Sequence, residues 1–167
     1  MIINDTDHYL ALGRSDPLWA WKSFLRGHHP ILMDYGIIAG VNPSASSAVS
    51  PGLPTYESYE AVRYAMGDTL HYAQKMNLIQ MKPRGDLSSF GYVLANPGEE
   101  YLILQPSDSA DLFSVTLDKG TYTVEWFNVN SRETMSVDQV TVGRKGKTNF
   151  TSPFAEAGPV VLYLKRV

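Results

Sequence analysis

Cysteine is missing from all 167 residues. Disulfides, thiolate nucleophiles and cysteine-ligated metals are therefore excluded. The absence does not fix a compartment, since secreted chains can also lack cysteine. An excess of one charge is missing too. Fourteen Lys and Arg stand against seventeen Asp and Glu, a net charge of −3. No strong field draws the chain to nucleic acid or to an anionic membrane. Histidine is sparse, and His8, His28, His29 and His71 do not fall at metal-ligand spacing. Neither a metal nor another cofactor is expected. Long apolar runs are absent, so nothing reads as a membrane span. The start, Met1 to Asp5, has no basic region and does not read as a signal peptide.

What is present suits a globular chain. The hydrophobic share of 44% is ordinary. The length allows a real core, in one domain or two small ones. The most legible stretch is Thr121–Thr134. Tyr122, Val124 and Trp126 fall on one face, and Thr123, Glu125 and Phe127 on the other, the period of a half-buried strand. Asn128 to Ser131 supplies turn chemistry, because Asn and Ser side chains bond nearby backbone.

The first half reads differently. Met1–Asn4 is a short apolar run that meets polar residues at once, as a buried parallel strand does where it opens on a site. Asp16-Pro17 gives an N-cap with proline at the first helical position. Leu18, Trp21 and Leu25 follow at helical spacing and Gly27 is a stop, so the spacing predicts a helix over 17–26. Pro30–Asp34 is a second buried-strand candidate. Strand, helix, strand is a βαβ unit with a right-handed crossover. Residues 36–54, rich in Gly, Pro, Ser and Ala, read as a long loop. A second helix is expected from about 55 to 76, with Tyr59, Val62, Met66, Leu70, Ala73 and Met76 as its apolar stripe. Gly67 inside it suggests close packing there.

After Asn77 the period changes to two. Strands are expected at 91–95, 100–105, 112–117, 121–128, 133–142, 147–151 and 159–165, with a bulge or a break near Asp138-Gln139. Seven short strands at this spacing make an antiparallel sandwich. Arg84-Gly85-Asp86, near the boundary, spells an adhesion tripeptide but also makes an ordinary turn.

The run Asn4-Asp5-Thr6-Asp7-His8, then Trp19 to Gly27, then Pro83-Arg84-Gly85-Asp86-Leu87, Gly91 to Pro97 and Val124-Glu125-Trp126-Phe127-Asn128 resembles a known family. These are glycoside-hydrolase-like proteins, apiosidase-like or cellulase-like, in which a (β/α)8 barrel precedes a small sandwich named for collagen binding. The resemblance implies an α+β chain. Residues 1–80 would be the last two βα units of the barrel, with its remainder missing, and 81–167 an Ig-like accessory sandwich. Two departures stand out. His28-His29-Pro30 replaces the usual Asn before the proline of the eighth strand, and Tyr35-Gly36 follows Asp34 where a proline is expected.

In such barrels the residues at C-terminal strand ends carry the chemistry. The resemblance therefore implies Asp5 and Asp7 as catalytic carboxylates. His8, Asp34 and Trp19 would bind substrate, a carbohydrate. Glycoside hydrolysis needs two carboxylates, so the whole protein is expected to be an enzyme and this chain alone inactive. The same aspartates would otherwise bond their own loop backbone. Trp19, Trp21, Tyr56 and Tyr59 could stack on sugar rings, although their helical spacing favours core. An extracellular or periplasmic setting follows from the resemblance alone. Unburied apolar surface on an incomplete barrel implies self-association. The alternative is a non-catalytic binding or structural module holding a polysaccharide or a collagen-like polymer.

Overall fold

The computed structural model describes residues 2–5, 16–32, 59–109 and 112–167. Asp7, His8 and Asp34 lie outside them, as do the loop expected at 36–54 and Tyr56. The chain forms two compact units. The first is Met1–Phe24 with His28–His71, and the second is Leu25–Gly27 with Tyr72–Val167.

The first unit holds strand β1 (Ile2–Asp5), helix α1 (Pro17–Leu25), strand β2 (His28–Ile31) and most of helix α2 (Glu60–Lys75). α1 starts where the sequence chemistry requires. The Asp16 carboxylate accepts from the Leu18 N–H at 2.8 Å, and Pro17 sits where no N–H is needed. β1 and β2 run parallel, in the register Ile2 to His28 through Asp5 to Ile31. β2 thus begins two residues earlier than expected. Ile2, Ile3 and Ile31 remain 58%, 54% and 47% exposed. Tyr59 and Val62 form a small buried cluster with Trp19 and Leu32 packed on it.

α2 and its flanks bury part of the stripe that the spacing suggested, namely Tyr59, Val62 and Met76, with Met66 and Ala73 half-buried. Val62, Ala65, Thr69, Tyr72 and Met76 are buried, whereas Leu70 is 57% exposed. The buried set follows a strict 3,4 repeat, which holds one narrow seam inward. His71, beside the expected stripe, is exposed. At Gly67 a Cβ would meet nothing within 4 Å. That glycine is not there for close packing.

The second unit is antiparallel. Its main sheet has the order β3 (Lys82–Pro83), β4 (Val93–Asn96), β5 (Glu100–Gln105), β10 (Val160–Arg166), β7 (Gly120–Asn128), β8 (Thr134–Val142). A second sheet pairs β6 (Phe113–Leu117) with β9 (Gly146–Phe150). One core unites them. Tyr101, Ile103, Val124, Trp126, Leu162 and Leu164 meet Phe113, Val115, Leu117 and Phe150. Phe113 stands edge-on to Trp126 at 5.9 Å. The expected bulge is present. Tyr122 pairs with Val140 and Val124 with Val137, so Asp138 and Gln139 together oppose Thr123. The turn after β7 is built as its residues suggest, with Asn128 Oδ1 accepting from the N–H groups of Asn130 and Ser131 at 2.9 and 3.0 Å. The Tyr122 hydroxyl donates to the Asp118 carbonyl at 2.9 Å and braces the turn by which the chain passes from β6 in one sheet to β7 in the other. Gly27, at φ +74°, turns the chain after α1, and a Cβ there would lie 2.7 Å from Pro83 Cγ.

Candidate functional site

Among the described residues, the sequence-predicted site is represented by Asp5 and Trp19. Asp5 ends β1 and is exposed. Its direction follows from its neighbour. Asn4 Nδ2 donates to Ser23 Oγ of α1 at 2.7 Å, so Asn4 faces the helix. Side chains alternate along a strand. Ile3 and Asp5 therefore face away from α1, and their register partners His29 and Ile31 share that face. All four are exposed. The pair thus offers one face to α1, and the residues of the other face are exposed, with a carboxylate at its C-terminal end. Trp19 is half-buried against Tyr59 and Val62. A side chain held there contributes apolar area to a core.

A second polar group was not visible in the sequence. It lies on the outer face of the main sheet, opposite the sandwich core. Glu100, only 5% exposed, accepts from the Asn77 backbone N–H at 2.8 Å and the Tyr163 hydroxyl at 3.1 Å, and pairs with Lys165 at 3.0 Å. Burial alone would push its carboxyl up. The bonds from Asn77, Lys165 and Tyr163 together outweigh that and hold it below the ordinary glutamate range. Burial, and then the Glu100 charge, push the Tyr163 phenol well above its usual value. Glu125 accepts from the Tyr72 hydroxyl at 2.9 Å and from Lys75. The Lys75 ammonium lies 5.5 and 5.2 Å from the ring centres of Tyr72 and Tyr163. Sequence separations of 23 to 65 residues hide such pairs from any local pattern. Each carboxylate here already holds two or three donors, which suits a clasp rather than a catalytic base.

The Arg84-Gly85-Asp86 turn is also self-contained. Arg84 Nε and Nη2 donate to the two Asp86 oxygens at 2.8 and 2.7 Å, and a Cβ on Gly85 would meet the Gly91 carbonyl oxygen at 2.5 Å. The Arg84 bond holds the Asp86 carboxyl below its usual range. Backbone packing requires the glycine, and the two charges satisfy each other. A hollow of about 650 Å³ lies at the β8–β9 turn between Val142 and Thr148 and has no carboxylate in its lining. No group of three or more metal-ligating side chains occurs among the described residues. None of their helices is long and apolar enough to cross a membrane.

No protein-family model matches the chain, and no curated protein matches it. Solved structures do. One is described as a glycoside hydrolase. It has a TM-score of 0.65 at 10% identity, over 89% of this chain and 36% of that one. Another is a glycoside hydrolase family 5 protein from Bacteroides vulgatus ATCC 8482. Its TM-score is 0.66 at 9% identity, over 90% of this chain and 35% of that one. The fold of this chain is therefore similar to that of part of these structures. The chain spans about a third of the length of the structures it matches.

Proposed function

We propose that this chain is the C-terminal part of a carbohydrate-active, glycoside-hydrolase-like protein. In this reading β1, α1, β2 and α2 are the last two βα units of a (β/α)8 barrel, and the antiparallel sandwich is its accessory domain. One observation carries it. A parallel strand pair with a helical crossover ends in Asp5, on the face turned away from the helix. In a closed barrel the helices lie outside, so that face is the interior and its C-terminal end is the site. The likeness to glycoside hydrolase structures supports the same assignment.

Asp5 and Asp7 would then act on the sugar or hold its hydroxyls, with His8 and Asp34 beside them as substrate-binding groups. Trp19 would serve the site only by bracing α1. The partner carboxylate and the pocket wall come from the remaining strands, so the chain alone is inactive. The parent would work outside the cytoplasm, where polymeric glycans are met. Assay of the chain against plant polysaccharides and aryl glycosides tests this. No turnover is expected. Robust turnover that Asp7→Asn abolishes would overturn the fragment reading.

A second reading is a non-catalytic module that holds a polysaccharide or a collagen-like polymer. It is favoured by the hollow at the β8–β9 turn, whose lining contains Arg144, Lys145 and Lys147 but no acid. Retention of the chain on an insoluble glycan or on collagen, at physiological salt, would support it.

A further inference from the structure

We infer that the outer face of the β6–β9 sheet, together with the hollow at the β8–β9 turn, binds a polysaccharide that carries carboxylates on its sugar units. The inference rests on reading the sandwich as a module that holds a polysaccharide, and it names the class of polymer. Phe113, Val115 and Leu117 of β6 and Phe150 of β9 are buried in the core. Period two turns the residues between them outward. Ser114 is the register partner of Asn149, and Thr116 of Lys147, so these four side chains share the outer face. All four are half-buried or exposed. They are two hydroxyls, an amide and an ammonium, with no apolar residue and no acid among them. Their side chains make no hydrogen bond or ion pair among the described residues. Hydroxyls and amides both give and accept, which is what sugar hydroxyls require of a partner.

The charge at one end of this face selects the sugar. Lys147 also lines the hollow, with Arg144 and Lys145. Lys145 is already committed, its ammonium 3.0 Å from the Asp118 carboxylate. Arg144 and Lys147 have no ion pair among the described residues. Three cations within four residues run against a chain whose net charge is −3. A neutral glycan would leave Arg144 and Lys147 without partners. Nucleic acid or an anionic membrane draws on a wider basic field, which this net charge does not supply. A uronate unit offers both halves of the match. Its carboxylate can meet the Arg144 guanidinium with both oxygens. Its ring hydroxyls suit Ser114, Thr116 and Asn149. Outward residues of one strand stand about 7 Å apart, so Lys147 and Asn149 would meet different groups of a polymer laid along β9.

The test is affinity electrophoresis of the full chain in gels containing alginate, a polymer of uronates, against gels without polymer. Parallel gels contain neutral hydroxyethyl cellulose or single-stranded DNA. Alginate should retard the native chain. Arg144→Ala with Lys147→Ala should raise the apparent Kd about five-fold, the worth of two exposed ion pairs. Asn149→Ala, which changes no charge, should raise it about three-fold, the scale of one hydrogen bond. Lys22→Ala with Lys82→Ala removes the same charge from α1 and β3 and should leave the Kd unchanged. Equal losses in the two double variants would overturn the inference, as would equal retardation by single-stranded DNA. Retardation by hydroxyethyl cellulose but not by alginate would overturn it and leave the polysaccharide-holding module standing. Retardation by neither glycan would sink both.

Discussion

Replacing Tyr72 should loosen the second unit more than any other change in α2. Its ring is buried and meets Phe127 edge-on at 6.0 Å and Tyr163 at 5.8 Å, and its hydroxyl reaches Glu125 at 2.9 Å. Two effects can be separated. Tyr72→Phe keeps the ring and removes one hydrogen bond to a charged group. That costs about 1.5 kcal/mol, the low end of the range, because Lys75 continues to hold Glu125. Tyr72→Ala removes the ring as well and costs about 3–5 kcal/mol, the usual loss for a large buried aromatic. The assay is urea unfolding followed by a ¹⁹F label on Trp126, which lies in the sandwich core and reports on that unit. The midpoint should fall in the order native, Phe, Ala, with the Phe step about a third of the whole. A loss below about 1 kcal/mol for Tyr72→Ala would mean that the last turn of α2 is not part of this fold. Equal losses for Phe and Ala would mean that the hydroxyl, and not the packed ring, holds the turn.

Other outcomes follow from single residues. The Glu100 carboxyl is held below its ordinary value, so its contribution is present above the unfolded value near 4.5 and is lost as pH falls through the lower folded value. Unfolding midpoints measured from pH 7 to pH 3 should drop less steeply in Glu100→Gln, which should itself be weaker by about 1–3 kcal/mol at pH 7. Gly27→Ala should destabilise by about 1–3 kcal/mol, from the positive φ and the approach to Pro83, whereas Gly67→Ala should stabilise α2 by about 1 kcal/mol. Thermal melts of both variants check the pair. The exposed Ile2, Ile3 and Ile31 should make the chain bind a hydrophobic dye and associate on sedimentation, and Ile3→Asp with Ile31→Lys should reduce both. A clean monomer without dye binding would favour a compact α+β binding protein with its own core.

The sandwich was legible in the sequence because its information is local. Alternation placed the strands from 93 to 166 within two residues, and the phase change at Asp138-Gln139 marked the bulge. Asn128 announced its own turn. α1 was legible from Asp16-Pro17 and Gly27. The apolar stripe of α2 was legible only in part, at Tyr59, Val62 and Met76. Leu70 looks like the better core residue by hydropathy, yet Tyr72 takes the inward place because Phe127, Tyr163 and Glu125 receive both its ring and its hydroxyl. Those partners lie 53 to 91 residues further on, beyond any window of periodicity. The Glu100 clasp was hidden for the same reason. The Asn4–Ser23 bond joins residues nineteen apart, and no strand pattern of four residues shows it.

The central claim is that Asp5 and Asp7 belong to the sugar-processing end of a barrel of which this chain is the last part. The most direct test is the turnover number of the full translated product of the gene on aryl glycosides, with Asp5→Asn and Asp7→Asn beside the native protein. The account predicts turnover in the full product, none in this chain alone, and a fall of about 100-fold or more in at least one variant, the scale of losing a positioned acid or base. An inert full product, or native turnover in both variants, would contradict it.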